Sequence, residues 1–290
     1  MISAKQVKEL RDRTGAGMMD CKKALEHCNG NISEAVDYLR EKGIAKAAKK
    51  SGRIAAEGLC NAVVNGNQAV IYEINAETDF VSKNARFLEL VRTVGRALIE
   101  SDARTTEEAL RYEHEGKTLE THLKEATATI GERITMRRVS RLEKSEQEGF
   151  GSYVHMGGRI AVLVRITKDL PDVAKDIAMH VAANSPKYLD RTKVDPETIE
   201  HEKRVLTQQA LAEGKPEKIV EKMVVGRLNK YLQEICLVDQ PFVKDTDIKV
   251  SQYLKNNRTD VIEFIRLEVG EGIEKKEEDF AAEVMAQVNK

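Results

Sequence analysis

The sequence predicts an α+β protein. A three-helix N-terminal module precedes two related α+β subdomains, an inserted antiparallel helical hairpin and a C-terminal helix. Three observations carry this expectation. Apolar residues recur at helical spacing through residues 3–43. Runs rich in β-branched residues at 69–74, 160–164 and 261–269 read as strands. Two further helical runs meet across Glu213-Gly214-Lys215. The expected boundaries are 1–54 for the module and its linker, 55–140 for the first subdomain, and 141–186 with 233–269 for the second. The hairpin takes 187–232 and a C-terminal module 270–290. A chain of 290 residues is long enough for more than one domain.

Ser3 is placed to cap the first helix, with Val7 and Leu10 on its inner face. Thr14-Gly15-Ala16-Gly17 breaks that helix, because two glycines in four residues disfavour its continuation. A second helix runs from Met18 to Cys28 and stops at the turn signal Asn29-Gly30-Asn31. Ile32, Ala35, Val36 and Leu39 line a third, expected to end at Gly43. The glycine-methionine loop after the first helix makes the module similar to ubiquitin-associated domains. Residues 1–54 hold twelve Lys/Arg against seven Asp/Glu. That excess, strongest in the linker Ala45-Lys46-Ala47-Ala48-Lys49-Lys50, is either a solvated surface or a means of steering toward an acidic partner.

Aligning Gly66 with Gly158 superposes Ala69-Val70-Ile71-Tyr72 on Ala161-Val162-Leu163-Val164. Each segment reads as strand, turn, strand and then helix, so the two subdomains are expected to be related. In the hairpin, helical runs 197–212 and 216–232 place Val205, Leu206 and Leu211 opposite Ile219, Val220 and Met223, with Pro216 in the first turn of the second arm. The seam packs on its own domain or serves a homodimer. The best late strand is 261–269, broken by Gly270-Glu271-Gly272. A final helix is expected from Asp279, carrying Phe280, Val284 and Val288.

Composition excludes several classes of function. The 47 Lys+Arg and 48 Asp+Glu nearly cancel, and aromatics are only 4%, which argues against a protein that coats or stacks on nucleic acid. Cys21, Cys28, Cys60 and Cys236 are dispersed, forming neither a disulfide framework nor a zinc motif. Met1–Glu9 is too charged to begin a secretory signal, and 160–164 is too short to span a bilayer, so a soluble cytoplasmic protein is expected. The chain has no phosphate-cradling Gly-x-x-x-x-Gly-Lys-Ser/Thr loop and no Gly-x-Ser-x-Gly elbow. It also lacks a His-Glu-x-x-His pair. Neither an enzyme nor a cofactor of its own is expected; binding is.

Thr78-Asp79-Phe80-Val81 is the segment with most to say about what is bound. It sits where a strand ends and a helix carrying Phe87, Leu88, Val91, Val94 and Leu98 begins. Thr78 or Asp79 suits a helix N-cap, with Phe80 folded into the core as a staple. The alternative is a wedge: Phe80 exposed until a partner covers it, with a carboxylate beside it. Spacing leaves both open.

Three stretches together resemble the bacterial elongation factor Ts family: 7–25 with its Thr14-Gly15-Ala16-Gly17-Met18-Met19-Asp20-Cys21 centre, Thr78-Asp79-Phe80-Val81, and Gly270-Glu271-Gly272-Ile273-Glu274-Lys275. Ile177-Ala178-Met179-His180-Val181-Ala182-Ala183 and Gly214-Lys215-Pro216 add support, and the likeness runs the whole length. The resemblance implies a guanine-nucleotide exchange factor for the GTPase elongation factor Tu, acting by binding. It implies that 78–81 intrude beside the nucleotide site and dislodge Mg²⁺, and that Arg11, Met18 and Met19 touch the nucleotide domain. It further implies that the segment around His155 grips a more distant domain, that Phe280 lies on a docking helix, and that the hairpin dimerises in some relatives. Two rivals are a ubiquitin-associated-type adaptor and an RNA-associated factor using the basic linker; neither accounts for the likeness over the whole chain.

Overall fold

Ser3 caps α1 (Ala4–Thr14) through a reciprocal pair: its hydroxyl accepts the Gln6 N–H at 3.2 Å, and the Gln6 side chain accepts the Ser3 N–H at 3.0 Å. Gly15, at φ 69°, ends the helix in the left-handed region. Helices α2 (Met18–His27) and α3 (Ile32–Ala48) follow, the latter capped by Asn31. Val7, Leu10, Cys21, Ala24, Leu25 and Ala35 form the buried centre of this module. The computed structural model describes residues 2–214 and 216–274, so the expected final helix with Phe280 lies outside the described residues.

Helix α3 corrects the expected stop at Gly43, which is buried mid-helix. A Cβ there would lie 2.8 Å from the Cβ of Ala128, so this glycine serves close helix packing and not termination. Much of the supposed linker at 45–50 is consequently helical.

Strands β1 (Glu57–Asn65) and β2 (Gln68–Ala76) come next, then α4 (Asp79–Ser82) and the long amphipathic α5 (Ala85–Glu100). After α6 (Thr106–Arg111), a small pair of strands β3 (Glu113–His114) and β4 (Lys117–Thr118) leads into α7 (Leu119–Ile130) and β5 (Thr135–Glu143). The sheet order is β1-β2-β5. Helix α5 buries Phe87, Leu90, Val91, Val94 and Leu98, and the Tyr72 hydroxyl on β2 donates to its Val91 carbonyl at 2.7 Å.

The second hairpin is β6 (Gly149–His155) and β7 (Ile160–Ile166), antiparallel, pairing Gly149 with Ile166 and His155 with Ile160. Helix α8 (Pro171–Asn184) covers it so closely that a Cβ on Gly151 would meet the Ala174 backbone at 2.2 Å. Helices α9 (Pro196–Ala212) and α10 (Glu217–Ile235), strands β8 (Pro241–Phe242) and β9 (Asp245–Lys249), helix α11 (Val250–Asn256) and strand β10 (Val261–Glu268) complete the order. The second sheet runs β10-β7-β6. Each three-stranded sheet thus places the second strand of its hairpin in the middle.

The α9–α10 seam consists of Leu206, Ala210, Val220 and Val224 with Leu228 against them. Leu211 and Ile219, expected within it, are both 49% exposed. Each lies one residue beyond a seam position, about 100° round the helix from the buried face.

The chain divides into two compact units. One holds residues 1–59 and 72–139 with the described residues from 268 onward; the other holds 60–71 and 140–267. Within the first, the Gly270-Glu271-Gly272 turn closes on a buried carboxylate. Glu73 is fully buried and accepts from Arg138 Nε at 2.5 Å, Arg137 Nη1 at 3.3 Å, Asn75 Nδ2 at 2.9 Å and the Gly270 N–H at 2.8 Å. The same arginines return to the turn: Arg137 donates to the Glu271 carbonyl at 2.6 Å, and Arg138 bonds the Glu271 carboxylate at 3.0 Å. Gly270 has φ 73°, and a Cβ there would sit 2.2 Å from the Ala56 carbonyl oxygen.

Candidate functional site

Strand β2 ends at Ala76, and Thr78 remains extended (φ −126°, ψ 158°) before the single turn of α4. A helix of one turn has almost no stability of its own, so its shape depends on what grips it. Val81 supplies the inward anchor at 6% exposure. At the exit the Lys83 N–H donates to the Phe80 carbonyl at 3.2 Å, the Asn84 N–H to the Val81 carbonyl at 2.9 Å, and Asn84 caps α5 through Arg86 N–H.

The entrance is held from outside. Thr78 makes no side-chain cap to α4; its hydroxyl donates to Glu132 Oε1 at 2.7 Å and its backbone N–H to Glu132 Oε2 at 2.9 Å. The preceding Glu77 accepts the Arg133 N–H at 2.6 Å and Arg53 Nη1 at 3.2 Å. This overturns the simple N-cap expectation for Thr78.

With both flanks fixed, Phe80 is 80% exposed, the most exposed large apolar side chain among the described residues. It is neither a staple nor part of the core. Solvating this ring forgoes roughly 1.5–3 kcal/mol of burial that a covering surface would recover. Asp79 lies beside it, paired to Lys83 at 3.4 Å, with 57% and 75% of the two side chains exposed. Of the four motif residues, only Asp79 and Phe80 face outward.

Met18 and Met19, at the uncapped start of α2, are 44% and 63% exposed. Arg86, two residues past the α5 cap, donates to the Gly15 carbonyl at 3.0 Å, tying the loop before the methionines to the segment after Phe80. Arg11 is exposed on α1. These residues share one compact unit with Thr78–Val81.

His155 belongs to the other unit, at the end of β6. It is half-buried, with Nδ1 3.2 Å from the Tyr153 hydroxyl. The outward apolar side chains there are Val154, at 40% exposure, and Met156, at 70%. Within β6, Val154 alternates with its half-buried neighbours Tyr153 and His155, whereas Met156 lies just past the strand in a tight turn at φ 48°.

Glu132, Glu77, Arg53 and Arg133 escaped sequence reasoning. Glu132 follows the helix-ending Gly131, a recognisable stop, yet it meets Thr78 54 residues away, and no local pattern reports such a contact.

A cavity of about 590 Å³ between α3 and α7, lined by Lys23, Tyr38, Lys42 and Glu125 among others, contains none of the expected site residues. Among the described residues no group of three or more His, Cys, Asp or Glu could hold a metal, and no helix is long and apolar enough to cross a membrane. Of the expected contacts, Arg11, Met18, Met19, Asp79 and Phe80 thus stand exposed outside that cavity, an arrangement suited to entering another molecule.

The family model for Elongation factor TS matches residues 77–271. The chain is also 55% identical, across its whole length and 99% of the relative, to a protein named Elongation factor Ts from Acholeplasma laidlawii (strain PG-8A). On this match the chain belongs to the elongation factor Ts family.

Proposed function

We infer that the chain works as the guanine-nucleotide exchange factor of elongation factor Tu, and that it does so by binding, with Phe80 as the inserted group. The observation that carries this is a ring 80% exposed on a one-turn helix whose two ends are both pinned. A loose loop would fold such a ring away; a fixed one presents it. Insertion beside the nucleotide displaces packed elements that shape the Mg²⁺ shell, and Asp79 offers acceptors to the groups displaced. Bound Mg²⁺ neutralises the nucleotide phosphates, so disturbing its shell weakens GDP strongly.

By linkage, the factor weakens nucleotide binding as much as nucleotide weakens the factor, so exchange is accelerated without altering the balance between free nucleotides. Excess GTP then sets the direction. Met18, Met19 and Arg11 supply a second contact from the N-terminal module, and the Val154–Met156 tip a third around His155. Phe280 is retained as a C-terminal contact, and the hairpin, with Leu211, Ile219 and Val225 exposed, as a homodimer element.

The test is release of a fluorescent GDP analogue from elongation factor Tu. Substoichiometric amounts of the chain should accelerate release catalytically in the presence of excess unlabelled nucleotide. Release no faster than the spontaneous rate would overturn the assignment.

A further inference from the structure

We propose that Glu132 is a positioning residue for exchange, setting the direction in which Phe80 points. The inference rests on the role given to Phe80 above. Thr78 stands two residues before Phe80, and both of its donors, backbone N–H and hydroxyl, are taken by one carboxylate at 2.9 and 2.7 Å. A fork of this kind fixes position and rotation together, as a single bond does not. The hydroxyl that would ordinarily cap α4 is thereby committed to a residue outside the helix.

Glu132 itself stands on a rigid platform. Gly131 ends α7 at φ 94°, its N–H bonded to the Thr127 carbonyl at 3.0 Å, and Lys50 Nζ donates to the Gly131 carbonyl. Buried Thr127 accepts the Ile134 N–H at 3.0 Å and donates to the Ile134 carbonyl at 3.4 Å. The Arg133 N–H reaches Glu77 at 2.6 Å. The loop from 131 to 134 is thus bonded on both sides of Glu132, and the carboxylate transmits that rigidity across 54 residues of sequence to Thr78. The exposed ring has no packing of its own to hold it outward, so its orientation depends on this grip and on Val81.

The experiment measures GDP-analogue release from elongation factor Tu against factor concentration for wild type, Glu132→Ala, Glu132→Gln, Phe80→Ala and the double variant Glu132→Ala/Phe80→Ala. Glu132→Ala should lower the maximal release rate by roughly ten- to a hundredfold, the scale of misplacing a reacting group by about an ångström. The half-saturating concentration, set by the other contact surfaces, should stay within about twofold. Glu132→Gln, which keeps an acceptor for one of the two donors, should recover part of the rate. The double variant should be no slower than Phe80→Ala alone, because Glu132 acts through the ring.

A normal maximal rate in Glu132→Ala, with Phe80→Ala impaired, overturns the positioning role and leaves the wedge intact. Losses that multiply in the double variant overturn it too, since Glu132 would then act independently. A normal Phe80→Ala defeats the wedge itself. Should Glu132→Ala fail to fold, Thr78→Val removes the hydroxyl donor alone; it should lower the maximal rate without affecting half-saturation, and an unaltered rate again overturns the proposal.

Discussion

Replacing Glu73 with alanine should destabilise the first compact unit and loosen the Gly270-Glu271-Gly272 turn together. The carboxylate is fully buried and accepts from two guanidinium groups, an amide and a backbone N–H. Removing it deprives all four of this acceptor, although Asn75 keeps the Glu57 carbonyl and the arginines keep their bonds to Glu268 and Glu271; deleting one member of a buried ion pair costs roughly 3–5 kcal/mol. Arg137 and Arg138 keep 29% and 28% side-chain exposure, so water recovers part of the loss and places the expectation near the lower end, about 3 kcal/mol. For a unit of this size that corresponds to a fall in Tm of about 6–12 °C. Thermal unfolding followed by circular dichroism measures it, with Glu73→Gln, which retains an acceptor but no charge, falling between. Hydrogen exchange should show the Gly270 N–H losing protection in Glu73→Ala. A Tm unchanged to within a degree, with Gly270 still protected, would refute the claim that this carboxylate anchors the turn.

Asp79→Ala should slow GDP release from elongation factor Tu while changing stability by no more than about 0.5 kcal/mol, because its pair with Lys83 is exposed; a large loss of Tm would mean that Asp79 holds the helix instead. His180 predicts a pH dependence. It is fully buried, donates from Nε2 to Gln240 Oε1 at 2.8 Å, and accepts the Val243 N–H at Nδ1 at 3.1 Å. The Val243 bond requires an unprotonated Nδ1, so the ring is neutral with its proton on Nε2. Burial lowers its pKa below the ordinary imidazole value. The unfolded chain therefore takes up the proton first: stability is complete above about pH 6.5, declines by at most about 1.4 kcal/mol per unit below it, and levels off below the folded pKa. Denaturant midpoints between pH 7.5 and 5 should fall in the wild type and flatten in His180→Gln. Equal slopes would assign the dependence elsewhere.

Local chemistry made much of this molecule legible. The Ser3 cap, the glycine break at 15–17 and the turn at Asn29-Gly30-Asn31 are short-range devices, and each stands where its residues place it. The strand pattern at 69–74 and the helix after it were equally readable, because burial imposes a period on both. A glycine that ends a helix and one that admits a neighbouring helix look alike in sequence; at Gly43, Ala128, 85 positions away, decides between them. At the site, the motif was visible but its exposure was not. Whether Phe80 turns inward or outward depends on Glu132 and on Arg53 and Arg133 around Glu77, all of which arrive from distant parts of the chain. Strand alternation marks Val154 as the outward residue before His155, but Met156 is exposed by the turn that follows the strand, which alternation does not report.

Phe80→Ala tests the central claim most directly. The ring is 80% exposed, so its removal should leave Tm within about a degree of wild type, a surface substitution changing stability by no more than about 0.5 kcal/mol. Acceleration of GDP release from elongation factor Tu should fall by roughly ten- to 150-fold, the equivalent of losing about 1.5–3 kcal/mol of ring burial in the complex. A folded variant that releases GDP at the wild-type rate would contradict the account.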